Sequence, residues 1–267
     1  MIDLPIGIFD SGVGGLTVLK EIFRELPNES TLYLGDTARV PYGIRSAETV
    51  TRYSLDNTGF LVSKGIKLLV VACNTASAVG LQKIKDSVKI PVIGVIEPGA
   101  RAAVEATENG KIGVIGTEAT IKSEAYVNAI KSFDASAEVF TLPCPLFVPL
   151  AEEGFTGDEI ALLVAERYLC NIRNRGIDTL VLGCTHYPLL RTVISKAMGD
   201  KIVLIDSAVE TAKEIKDTIV GMEMERKSTQ KPWKMFYVTD SPDRFVRVGE
   251  RFLDQGIENI EEINVDI

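Results

Sequence analysis

Apolar residues along this chain follow two rhythms. Compact apolar runs fall at Pro5–Asp10, Thr31–Leu34, Lys67–Ala72, Ile90–Ile96, Lys111–Thr117, Ala137–Thr141, Gly176–Gly183, Lys201–Ile205 and Lys234–Val238. They are strand-sized, and their near-continuous apolar character is that of strands buried on both faces of a parallel sheet. Between them apolar positions recur every three or four residues, as at Leu16, Leu19, Ile22, Phe23 and Leu26, which is the period of an amphipathic helix. That spacing predicts helices at Leu16–Leu26, Ala47–Ser63, from Thr75, from Glu97, at Glu118–Phe133, Asp158–Arg173 and Asp243–Leu253. A proline-broken irregular loop carrying Cys144 and Glu152 is expected between the strand at 137–141 and the helix that opens at Asp158. Strands alternating with helices predict an α/β protein with parallel-rich sheets flanked by helices.

The pattern is written twice. Gly65-Ile-Lys-Leu-Leu-Val-Val-Ala-Cys73 aligns without a gap on Gly176-Ile-Asp-Thr-Leu-Val-Leu-Gly-Cys184, at an offset of 111 residues. Lys111-Ile-Gly-Val-Ile-Gly116-Thr117 echoes Ile6-Gly-Ile-Phe-Asp10-Ser11, and Lys201–Ile205 parallels Pro91–Val95. Two similar α/β domains, pseudo-symmetric about a central cleft, are therefore expected. The first takes residues 1–97 plus 207–267, with the tail returning to it after the polar break Gly221–Lys231; the second takes residues 98–206.

Composition narrows the function classes. A chain of 267 residues has room for two domains with cores of their own. Its 29 Lys and Arg against 37 Asp and Glu leave a net charge of −8, which argues against a nucleic-acid-binding surface but not against a small anionic ligand. The N-terminus has no basic leader region and no run is long enough to span a membrane, so neither export nor membrane association is expected. Four cysteines without CxxC spacing are too few for a disulfide scaffold, and the expectation is a cytoplasmic protein with reduced thiols. With His186 the single histidine, no Cys/His metal site is expected.

The candidate chemistry sits in the repeat. A cysteine ending a buried strand is usually a small core hydrophobe. Cys73 and Cys184 differ in being paired, each at the C-terminal edge of a strand, where open α/β sheets place ligands. Each is followed by hydrogen-bonding residues, and a helix N-terminus behind each is expected to stabilise the thiolate and lower its pKa. Cys144, between two prolines, and Cys170, on a helix, read as structural. His186, two residues from Cys184, is placed to exchange a proton with that thiol near neutral pH if it is neutral itself. Asp10, ending its strand at the same edge as Cys73, is placed to support that thiol; Glu152, beside Glu153, reads from the residues alone as a solvated charge. Gly12-Val-Gly14-Gly-Leu-Thr17, with Asp36 downstream, approaches a dinucleotide fingerprint but lacks the third glycine, and amide donors for a carboxylate are the better reading.

The motifs together resemble a known family. Gly7-Ile-Phe-Asp10-Ser11-Gly-Val-Gly-Gly-Leu-Thr17, Pro41-Tyr42-Gly43, Ala72-Cys73-Asn74-Thr75-Ala76 and Leu182-Gly-Cys184-Thr185-His186-Tyr187 resemble the glutamate racemases, over about residues 5–215. The resemblance implies an isomerase that interconverts L- and D-glutamate with no cofactor and no metal, and that supplies D-glutamate for peptidoglycan. It implies that Cys73 and Cys184 are the two acid–base residues and that Asp10, Glu152 and His186 assist them. It also implies substrate contacts at Asp10, Ser11, Pro41, Tyr42, Gly43, Asn74, Thr75, Thr117, Thr120, Thr185 and His186. Position 40, Val here where many relatives carry cysteine, is read as outside the chemistry. Members of the family commonly dimerise in more than one arrangement, which leaves a homodimer possible and no interface implied.

Other readings stay open on the residues. The paired cysteines also suit a racemase of aspartate or another small acid, because side-chain length is not legible in sequence. A two-domain amino-acid-binding protein would need neither thiol, and a redox protein would use both as a disulfide, against the absence of CxxC.

Overall fold

The computed structural model describes residues 2–265. In chain order its first elements are β1 (Ile6–Asp10), α1 (Leu16–Glu25), β2 (Thr31–Gly35), α2 (Ala47–Ser63), β3 (Leu68–Val71), α3 (Asn74–Ser87), β4 (Val92–Gly94) and α4 (Ile96–Ala106). There follow β5 (Lys111–Gly116), α5 (Glu118–Lys122), α6 (Ala125–Phe133), β6 (Glu138–Pro143), α7 (Phe147–Glu153), α8 (Glu159–Arg173) and β7 (Thr179–Gly183). The last are α9 (Arg191–Met198), β8 (Val203–Asp206), α10 (Ser207–Gly221), β9 (Lys234–Val238), α11 (Pro242–Leu253) and β10 (Ile260–Glu262).

These strands form two sheets, parallel throughout. The first runs β10-β9-β2-β1-β3-β4 and the second β6-β5-β7-β8. The order 2-1-3-4 of the first is thus repeated as 6-5-7-8 in the second, which is the sequence repeat expressed as topology. Side-chain alternation divides each sheet between two cores. In the first sheet Ile6, Ile8, Leu68 and Val70 face α1, α10 and α11, while Phe9, Leu69 and Val71 face α2 and α3. In the second, Ile112, Val114 and Val181 face α4 and α6, and Ile115, Leu180 and Leu182 face α8 and α9. Burial on both faces accounts for the unbroken apolar runs.

Several elements differ from expectation, each for a local reason. The helix predicted over Glu118–Phe133 breaks between α5 and α6, where Glu124 adopts a left-handed φ of 56°. The expected irregular loop around Glu152 is largely the helix α7. Pro149 does not prevent it, because in the first turn a proline removes no intrahelical hydrogen bond; Gly154, at φ 86°, ends it. The fourth strand keeps only Val92–Gly94, with Val95 capping α4. The strand β10 was not anticipated. Among the described residues no helix is long and apolar enough to cross a membrane.

Candidate active site

Parallel strands deliver their C-terminal ends to one edge, and both thiols arrive there. β3 runs through Ala72 to Cys73, which is the N-cap of α3; β7 ends at Gly183, directly before Cys184. Both cysteines are 5% exposed, and both line one cavity of about 160 Å³, a volume suited to a small molecule rather than a nucleotide. Asn74 and Thr75 line it from the start of α3, Thr185 and His186 from the turn after β7, and Ser11 from the end of β1. Pro41, Tyr42 and Gly43 line it from a loop entered through a cis Val40–Pro41 bond, and Thr117 from the N-cap of α5. Thr120 lies behind this wall, 1% exposed, and closes a triangle of hydroxyls with Thr75 and Thr117 at 3.2 and 2.9 Å. Asp10 also lies behind the lining and is fully buried.

The two sulfurs have different surroundings. Cys184 Sγ is 3.9 Å from His186 Nδ1, and His186 Nε2 is 3.2 Å from Glu152 Oε1. Burial pulls the imidazole toward neutrality, but its hydrogen bonds to Cys184 and Glu152 prevail and raise it to about 10. His186 is therefore held as a cation at neutral pH. Burial opposes the Glu152 charge too, yet His186 and Arg244 hold its carboxyl below the usual range. Glu152 is thus no solvated surface charge.

Cys73 Sγ has Ser11 Oγ at 3.8 Å. Burial, followed by the charge of Asp10, pushes this thiol up to about 12, although the Ala76 amide and Ser11 favour its anion. The expected lowering by a helix terminus is reversed here, because desolvation outweighs one turn of amide dipoles. At Cys184 the expected helix is not directly behind the thiol: the chain makes a 3-10 turn, Tyr187–Leu190, before α9. His186 supplies the positive charge on that side instead.

The glycine loop's amides do meet a carboxylate, and it is the chain's own. Gly12 N–H donates to Asp10 Oδ2 at 2.9 Å, while Asp10 Oδ1 and Asn74 Oδ1 are buried with no protein partner. Burial raises the Asp10 carboxyl against the charge of His186 and the loop amides. Gly14 is needed for close approach: a Cβ there would lie 2.2 Å from Thr185 Oγ1 and 2.5 Å from the His186 ring. Gly43 stands likewise 2.8 Å, measured from an added Cβ, from Thr117. Asp36, where the ribose acid of a dinucleotide site would fall, is buried and held by Arg39, Tyr42, Asn57 and Thr239, so it braces the Pro41–Gly43 loop from behind.

Sequence reasoning missed Val40, Ile44, Glu118, Pro145, Val148 and Pro149, which also line the cavity. Val40, expected to lie outside the chemistry, is part of the apolar wall. Val148 lies one helical turn before Glu152, so reading 147–153 as a helix is the signal that finds it. Among the described residues no cluster of His, Cys, Asp and Glu is arranged to hold a metal ion.

Two parallel sheets of matching strand order, each presenting a thiol to a shared small cavity, define a class: two-sheet α/β proteins with paired thiols on one cavity of small-molecule size. The chain belongs to the Asp/Glu/Hydantoin racemase family, whose model matches residues 6–215. It is 55% identical over 261 residues to the glutamate racemase of Geobacter metallireducens, covering 98% of this chain and 97% of that one. The crystal structure of glutamate racemase from Francisella tularensis in complex with D-glutamate superposes with a TM-score of 0.94 at 38% identity, over 100% of this chain and 99% of that one. The aspartate racemase of Picrophilus torridus, at a TM-score of 0.61 and 19% identity over 81% of this chain and 94% of that one, shares the fold.

Proposed function

We propose that the protein is a glutamate racemase that interconverts L- and D-glutamate by proton transfer between two cysteines at Cα, without a cofactor. The observation that carries this reading is the arrival of Cys73 and Cys184 at one small cavity from equivalent strands of two sheets. The relatives named above, one of them holding D-glutamate, support glutamate as the substrate. Its product D-glutamate would serve peptidoglycan synthesis in the cytoplasm. The division into units of residues 1–97 plus 207–267 and of 98–206, closing on the substrate, belongs to the same proposal.

Inversion at Cα needs a proton removed from one face and another delivered to the opposite face. A thiolate does the first and a thiol the second, and the roles reverse for the mirror-image substrate. Cys184 lies beside the His186 cation, and burial with the charge of Asp10 holds the proton on Cys73. An amino-acid α-proton is far less acidic than a thiol, so the site must stabilise charge developing on the carboxylate side of Cα. Asn74, Thr75, Thr117 and Thr185 provide polar groups along the cavity wall for the substrate carboxylates and ammonium. Exclusion of water would strengthen each of these contacts.

Purified protein with L-glutamate and no added cofactor tests the reading. Loss of optical rotation, with aspartate turned over far more slowly, supports it. Turnover of aspartate but not glutamate would overturn the substrate, and inertness toward both would overturn the activity.

A further inference from the structure

The side of the site that carries Cys184 is tied to the tail of the chain. Helix α11 buries Phe245, Val248, Phe252 and Leu253 against the first sheet's core and leaves Arg244 and Arg251 exposed along the row they share with Val248. Both arginines reach α7. Arg244 donates to Glu152 Oε2 at 2.9 Å, and Arg251 donates to the Glu152 backbone carbonyl at 2.6 Å. Gly154 makes room for the second contact, since a Cβ there would fall 2.3 Å from Arg251 Nη1. Phe252, from the same helix, meets the His186 ring edge-on at 5.2 Å. Glu152 is thereby held at three points: one carboxylate oxygen on Arg244, the other on His186, and its carbonyl on Arg251.

We propose that Arg244 is a positioning residue for proton transfer at Cys184, acting through Glu152 on His186. With Oε2 fixed by the guanidinium, Oε1 is left facing Nε2, so Nδ1 of the ring is directed at Cys184 Sγ. Without Arg244 the carboxylate is free to rotate about its last torsion, and the ring loses the partner that sets its orientation. The pair is half open to water on the arginine side, at 49% exposure, while the Glu152 side chain is only 16% exposed. As an isolated ion pair it would add little to stability; its effect lies in orienting a buried partner. Arg251 and Phe252 fix the ends of the same arrangement. The inference rests on the racemase reading and adds to it a residue that touches neither substrate nor sulfur.

The test compares kcat and KM of Arg244→Ala, Arg244→Lys, Glu152→Gln and the double variant Arg244→Ala/Glu152→Gln. Arg247→Ala, an exposed position on the same helix, is the control. Arg244→Ala is expected to lower kcat by about tenfold with KM within about twofold, and Arg244→Lys to recover most of the loss. In the Glu152→Gln background the Arg244→Ala change should add less than about twofold, because its route of action is already gone. Equal losses in both backgrounds, or a loss confined to KM, would show a merely structural helix contact and overturn the inference, as would a wild-type kcat for Arg244→Ala. A wild-type enzyme inert toward glutamate would instead sink the racemase reading on which it stands.

Discussion

The ends of β3 and β7 solve one problem in two ways. Each is a buried, four- or five-residue strand that stops at a thiol on the same cavity. At β3 a full helix starts at once, and burial near a buried carboxylate pushes the thiol up to about 12. At β7 a 3-10 turn replaces that helix start, and buried His186, held by Glu152, supplies the positive charge. Equivalent scaffolds thus carry inequivalent electrostatics. A pair of acid–base groups that begins a reaction with one proton between them needs that inequality.

The comparison is broken most severely by removing either sulfur. Cys73→Ala and Cys184→Ala should each lower racemisation by about a thousandfold or more, read by optical rotation, because inversion requires both faces of Cα to be served. The next largest effect is expected from steric separation of the two ends. Gly14→Ala places a methyl group against Thr185 and His186, and kcat/KM should fall by roughly tenfold to a hundredfold, whichever enantiomer is supplied.

Smaller effects sharpen the contrast through stability. Asp10 is buried with one oxygen unpartnered, and burial raises its carboxyl, so its charge at neutral pH costs folding free energy. Asp10→Asn should raise Tm at pH 7 while lowering turnover, checked by calorimetry beside the activity assay. His186 has the opposite linkage. Its folded value, about 10, lies above the ordinary 6.5, so its protonation contributes stability that is complete below about 6.5 and is lost as pH rises through 10. Wild-type stability against urea should therefore decline between pH 7 and 10, and His186→Asn should flatten that decline.

Much of this was legible in the chain. The two sheets were readable because strands buried on both faces leave unbroken apolar runs, and the repeat of Cys73 at Cys184 is visible because both strands are buried alike and stop at the same cavity. Charge balance was not legible, since it depends on burial and on partners far along the chain. Glu152 is held by Arg244, 92 residues away, and Asp36 accepts from Thr239 at a separation of 203. Helix α7 was hidden by Pro145 and Pro149, which break a helix in its interior but not in or before its first turn. The strand β10, Ile-Glu-Glu, carries no pattern of its own and exists through its pairing with β9.

The central claim is that two thiols serve opposite faces of one α-carbon. Optical rotation followed from pure L-glutamate in D2O tests it most directly. If Cys73 and Cys184 act as two separate bases, product forms with deuterium at Cα and returns more slowly than protiated substrate leaves. The rotation should then pass through zero, take the opposite sign and decay back. A monotonic approach to zero, with deuterium appearing equally in both enantiomers throughout, would point to a single base and contradict the account.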